Sequence, residues 1–459
     1  MMGIRLDWEI EAEQSHIQRA GEDPETARKR RVARLRLLIY MLAVVAVFGG
    51  IAALIVLRLR AVDEQIAQVL RNTVDAEIAA LRIGDENAFL AAQRSASDEW
   101  LRLQERVFDQ YQQLKLSNDL QLTGQITDVT VSDSRARVGV QEIIDGVPYT
   151  RIWFYWRYED GWRHVPPDYT FWGDVSTYEG QGVNVRYRTV DALLAGDIGA
   201  KIETWLAASC AALACGELPD VQVEIVPDEA LEVSWSAANP WVLQVPSPYV
   251  ARARSDQPFT LDLQYSVANL LAERLVTSTT SVDSQPVYPS DASYLRGAVV
   301  SWLVGRFTQV GSGAYTIDSL AANYGDAAVS RLLAAMTPDS DGRVLATAAG
   351  VPSLDQVNLD WRDFLTWRLL VEDELIRAQD DTHFLDLYDT RDENVRSVAA
   401  QRFSTAPTDL PKNVVSVVQE AGADGTPQLR ARVQVGSGAD AIQGESIFRL
   451  VDGVWKRAN

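Results

Sequence analysis

The sequence predicts an α+β protein carried on one N-terminal transmembrane helix, and three observations point there. Residues 37–57 form an uncharged apolar run. A pattern of helix followed by strands occurs directly after that run and again at the C-terminal end. Between the two copies lies a longer stretch dominated by helical spacing of apolar residues. The composition agrees: 459 residues with 47% hydrophobic, 23% charged and 17 prolines exclude a disordered or low-complexity chain.

The run LLIYMLAVVAVFGGIAALIVL is 21 residues long. At about 1.5 Å per residue it spans a hydrocarbon core of about 30 Å. A cleaved signal peptide fits it less well, because 36 residues precede it and Arg58 and Arg60 follow. Arg28, Lys29, Arg30, Arg31, Arg34 and Arg36 stand before the run and Arg58, Arg60 and Arg71 after it. This bias predicts a cytoplasmic N-terminus and extracytoplasmic C-terminal domains, with membrane lipid as the partner of residues 37–57. Beyond residue 36 the chain holds 35 basic and 56 acidic residues, a net of −21 within the total of −20, so the acidity belongs to the outer part. An acidic chain of pI near 4.7 lacks the basic face that nucleic acid requires.

After the span, LRIGDENAFLAAQRSASDE from Leu81 aligns with IRAQDDTHFLDLYDTRDEN from Ile376. Arg82, Asp85, Phe89 and Leu90 match Arg377, Asp380, Phe384 and Leu385 at one offset. Further on, WRYEDGWRH from Trp156 resembles FRLVDGVWKR from Phe448, each a hairpin whose turn holds Asp-Gly. The unit resembles the nuclear transport factor 2-like family, a curved-sheet cone whose members include small-molecule binders, enzymes and scaffolds. Asp85 and Asp380 are the acids that an enzymatic cone could use, but beside Gly or Gln between helical runs they read as helix caps or turn residues. Alternation in the aromatic run of the first copy puts Phe154, Trp156 and Tyr158 on one strand face and Trp153 and Tyr155 on the other. Trp153 and Tyr155 are therefore binding candidates, with packing against an adjacent domain as the plainer reading.

In the middle, VQVEIV and WVLQVPSP read as strands. LDLQYSVANLLAERLV carries Val267, Leu270, Leu271 and Leu275 at helical spacing, with Asp262, Ser266, Asn269 and Glu273 on the polar side. YLRGAVVSWLVGRF, NYGDAAVSRLLAAM and the stretch around DWRDFLTWRLL continue as helices. The landmarks Pro246-Ser247-Pro248, Tyr294 through Ala298, Tyr324-Gly325 and Gly350 through Phe364 resemble the gluzincin (peptidase MA-like) metallopeptidases. That family uses HExxH, two histidines one helical turn apart on a zinc ion with the glutamate activating its water. The matching positions here hold Tyr265, Ser266 and Asn269, and Arg296 replaces the third ligand. The resemblance thus implies a peptidase-like domain without zinc, cofactor or catalytic residues. Asp262 and Glu273 remain binding candidates, though about three helical turns separate them, too far for a glycosidase pair. The chain also lacks GxSxG, GxxxxGK[ST] and GxGxxG.

Cys210 and Cys215 are the only cysteines. They read equally as a disulfide, which requires the helix to end near Gly216, or as two small buried hydrophobes. The expected organisation is a cytoplasmic tail (1–36), the span (37–57), a nuclear transport factor 2-like domain (58–178), a zincin-like domain (179–371) and a second nuclear transport factor 2-like domain (372–459). The function expected is a membrane-anchored pseudopeptidase that binds a peptide, protein or envelope ligand. The alternatives are a hydrolase with a non-zinc or small-molecule site in the groove or a cone, and a signalling protein that uses its cytoplasmic tail.

Overall fold

The apolar run lies within one long helix, α1 (Pro24–Ile83), which begins before it and continues past residue 57 without a break. The computed structural model describes residues 24–282, 289–438 and 441–459; most of the expected tail, His16 included, lies outside them. Among the described residues α1 is the one helix long and apolar enough to cross a membrane, and none of its apolar window is buried in protein. About 20 Å beyond residue 57 the same helix begins to form a core, with Leu70, Val74, Ile78 and Leu81 buried on one face.

The chain forms two compact units: residues up to 114 with 128–136 and 155–166, and residues 115–127, 137–154 and 167–459. In the first unit, α1 is followed by α2 (Glu86–Ala91) and most of α3 (Asp98–Ser117). Asp85 caps α2, its carboxylate accepting from the Ala88 N–H at 3.0 Å. Phe89 and Phe108 meet at 5.7 Å between ring centroids.

Three sheets follow. The first has the order β1 (Leu120–Gln121), β3 (Arg135–Ile144), β4 (Val147–Tyr158), β11 (Ala253–Arg254), with β2 (Ile126–Ser132) on β3 and β5 (Gly161–Val165) on β4. The β3–β4 hairpin turns on Asp145-Gly146, both at positive φ (52° and 80°) as a tight hairpin turn requires. The second sheet has the order β6 (Val175–Gly180), β7 (Val183–Arg188), β8 (Val221–Val226), β10 (Val242–Pro246), β9 (Ser234–Trp235). Its three central strands are parallel, and α4 (Ala192–Leu213) supplies the crossover from β7 to β8. α4 stops where Ala214 turns left-handed (φ 53°), and this brings Cys210 and Cys215 to 4.9 Å between Cα atoms, joined in a disulfide.

The helical layer comprises α5 (Leu261–Thr279), α6 (Asp291–Thr308), α7 (Tyr315–Tyr324), α8 (Asp326–Ala335), α9 (Arg343–Ala349) and α10 (Arg362–Ala378). The sequence NYGDAAVSRLLAAM is divided between α7 and α8 at Gly325, whose φ of 80° no continuing helix adopts. Then come α11 (Asp381–Asp386), α12 (Glu393–Phe403) and the third sheet, β12 (Lys412–Ala421), β13 (Pro427–Val435), β14 (Ile442–Val451) and β15 (Val454–Arg457), antiparallel in sequence order. One hydrophobic core runs from Val183 on β7 through α4–α10 to Leu429, Phe448 and Trp455 of this sheet.

The two aligned segments share local structure. Asp380 caps α11 as Asp85 caps α2, with backbone angles of −96° and 87° against −90° and 90°. Phe89 and Phe384 are both fully buried. An isolated bridge joins Gln93 to His164 in one copy and Tyr388 to Arg457 in the other.

Candidate functional site

Arg296 of α6, expected where a peptidase would place its third zinc ligand, turns its guanidinium to α5. It donates to Glu273 at 2.6 and 3.1 Å and to the Thr277 hydroxyl at 2.8 Å. The Arg296 side chain is 4% exposed, so this pair ties the two helices together. Glu273 is thereby an ion-pair partner rather than a free binding carboxylate. Tyr265 and Asn269 are exposed on α5, and the Ser266 hydroxyl donates back to the Asp262 carbonyl at 3.0 Å. Asp262 lies in the first turn of α5, where a negative charge suits the helix dipole. Among the described residues no group of three or more His, Cys, Asp or Glu is arranged to hold a metal ion.

Trp153 and Tyr155, expected as binding candidates or as packing residues, are 5% and 0% exposed and so take part in packing. Both faces of β4 are covered at these positions, so alternation could not separate a free face from a packed one. The Tyr155 hydroxyl donates to Glu77 at 2.8 Å. Glu77 also takes the Gln93 amide and His164 Nδ1, each at 2.7 Å. Burial and the Glu77 charge hold the Tyr155 phenol well above its ordinary range. The second copy repeats the arrangement with a cation: Glu372 accepts from Arg457 at 2.5 Å and from the Tyr388 hydroxyl at 3.2 Å. Extending the sequence alignment eight residues upstream of Asp85 and Asp380 pairs Glu77 with Glu372 at the same offset; that was the available signal.

A concave surface runs beside β12. One groove of about 780 Å³ lies between α6, the start of α7, α10 and the first residues of β12, with Tyr294, Tyr315, Arg362, Trp367 and Val415 on its walls. A second of about 560 Å³ continues along β12, lined by Asn323, Asn358, Ser416 and Gln419 and sharing Arg362 and Val415 with the first. β12 is an edge strand of the third sheet, and among the described residues no strand pairs with its outer side. The Val414 N–H is taken by the Thr366 hydroxyl at 2.9 Å. Beyond it the register slips between Val414 and Ser416, leaving Val415 as a bulge residue.

The walls are firmly held. Asp363 accepts from the N–H and hydroxyl of Thr316 at 3.0 and 2.6 Å, anchoring the first turn of α7 to α10. Burial pushes its carboxyl above the ordinary carboxylate range, against the hydrogen bonds from Thr316 and Tyr294. Arg362 is clamped by Asp360 at 2.6 Å and lies 3.9 Å over the Tyr315 ring, a cation–π contact. Tyr294 and Trp367 pack at 5.0 Å. The site therefore offers an aromatic floor at one end, amides and hydroxyls at the other, and beyond the bulge at Val415 a strand edge with no strand paired to it among the described residues. It contains no histidine and no cysteine. This chemistry suits holding an extended chain.

A different buried acid sits at the entry to α4. Asp191 accepts from the Trp172 indole at 2.8 Å and from the Ser247 hydroxyl. Ser247 belongs to the Pro-Ser-Pro landmark that ends β10. Burial pushes Asp191 up to about 6, against those two hydrogen bonds and the Arg137 charge.

Compared with known families, with characterised proteins and with solved structures, the chain matches none.

Proposed function

We propose that the chain is a membrane-anchored binding protein whose groove along β12 takes an extended peptide segment by strand addition. The observation that carries this reading is the unpaired outer edge of β12 forming one wall of the two adjoining grooves. An extended peptide there would bond its main chain to the strand and set alternate side chains against Tyr294 and Trp367 or against Asn323 and Asn358. The helix α1 serves as the anchor, with the N-terminus in the cytoplasm and the two units outside it. On this reading residues 179–371 are a peptidase-like domain flanked by two cone-like domains, a reading supported by the sequence landmarks Pro246-Ser247-Pro248 and Tyr324-Gly325. At the positions of a zinc site it carries Tyr265, Ser266, Asn269 and the Arg296–Glu273 pair, so it acts by binding and not by hydrolysis.

The test is photocrosslinking in native membranes, with the reactive side chain placed at Tyr315 in the groove or at Leu193, exposed on α4 and not among the groove's lining residues. The expected result is peptide conjugates from position 315 that disappear in Gln419→Pro. Counting from the Gly422–Thr426 hydrogen bond, the Gln419 N–H faces away from β13, so a proline there removes one outer-edge N–H and leaves the β12–β13 ladder in place. Equal yield from both positions, or conjugates that persist in the proline variant, would overturn the proposal.

A further inference from the structure

Residues 58–69 of α1 lie between the apolar run and the first core residue, Leu70, and they carry a second apolar face. Val62 is 50% exposed and Val69 48%, with Ile66 half-buried between them. At about 100° per residue these three fall within about 60° of one another and roughly 110° from the centre of the face formed by Leu70, Val74, Ile78 and Leu81. The stripe therefore borders the helix's own core face through the half-buried Ile66 and carries Val62 and Val69 away from it. Lipid does not cover it either, since Val69 stands about 18 Å past residue 57 and a headgroup layer is about 5–7 Å deep.

The spacing identifies the occupant. In the sequence Phe48, Ala52, Ile55, Leu59, Val62, Ile66 and Val69 follow one another at alternating intervals of four and three, a heptad seam that starts inside the span and leaves it unbroken. A seam of this period matches an identical helix in parallel, which is the orientation that two copies anchored in one membrane must share. With Val62 and Val69 at d, the residue types at the flanking g and e positions are Arg58 and Asp63. They stand five residues apart and are opposite in charge, as a parallel pair of copies requires. We propose that the chain is a parallel homodimer zipped along α1 from the outer half of the span to Val69. The dimer would present two β12 grooves on one membrane-fixed stem.

Cysteine scanning of the full chain in its own membranes tests this, because Cys210 and Cys215 are bridged and an introduced thiol is the only free one. Under mild oxidation Val62→Cys and Val69→Cys should give disulfide-linked dimers several-fold more abundant than Ala61→Cys, Glu64→Cys or Gln68→Cys. In the Val62→Cys background, Val69→Asp should lower that yield. A flat profile, no dimer, or a conjugate whose mass is not twice the chain would overturn the proposal. The last would mean that a different helix fills the seam. The result is independent of whether the β12 groove binds peptide.

Discussion

Asp191 shows how one side chain carries a pH dependence that its neighbours in sequence do not announce. Its folded-state value of about 6 stands above the value of about 3.9 for an exposed aspartate. The folded chain therefore binds the proton more tightly than the unfolded one. The resulting stability is fully present below about pH 4 and is lost as pH rises through 6, by up to ~3 kcal/mol. Asp191→Asn removes the titration, keeps its Oδ1 to accept from the Trp172 indole and turns its NH2 to the Ser247 hydroxyl, which can accept as well as donate. Urea unfolding between pH 4 and 7.5 should show a flatter profile for the variant and equal or higher stability at pH 7.5. A wild-type profile no steeper than the variant's would count against this account. Asp85 and Asp380 were legible as caps because the N–H groups they satisfy lie three residues on. Asp191 was not, because its partners lie 19 and 56 residues away.

Between elements, the Arg296–Glu273 pair decides how α6 sits on α5. Removing Glu273 leaves a guanidinium that is 4% exposed without its carboxylate, whereas Arg296→Met removes the charge and fills most of the space. Glu273 is itself partly exposed, and solvent screens some of its worth. Glu273→Ala should cost about 1–3 kcal/mol and Arg296→Met less, read as a shift in denaturation midpoint. The reverse order would mean that the pair is not what locks the helices. Helix α5 was readable from apolar spacing, and so was the replacement of ligand-type residues on it. Where the Arg296 side chain points was not, since a side chain of that length reaches either a groove or a neighbouring helix.

For the whole molecule, the expected boundary at residue 371 runs through a shared core. Trp361, before α10, meets Trp455 of β15 at 6.1 Å, and Val414, Leu429 and Phe448 belong to the same buried cluster as α4–α9. A chain that ends at residue 371 should therefore lose cooperative unfolding and expose apolar surface, measured by dye binding and by thermal melting of residues 61–371 beside residues 61–459. A sharp transition in the truncated form would show that residues 179–371 close their own core. The repeat was visible in sequence as matched residues, because each copy needs the same cap and the same buried ring. The merging of the second copy with the helical layer was not, because the residues that meet there are far apart in the chain.

By itself the sequence determined what short-range physics controls: the apolar run, the helices and strands given by periodicity, the Asp caps, the Asp-Gly turns and the absence of HExxH. The tertiary structure alone decided which faces are covered. It buried Trp153 and Tyr155, joined Cys210 to Cys215 through a left-handed residue, turned Arg296 onto Glu273 and left the outer edge of β12 beside a groove. Burial and pairing depend on segments tens to hundreds of residues apart, and no local pattern encodes which of them arrive at the same place.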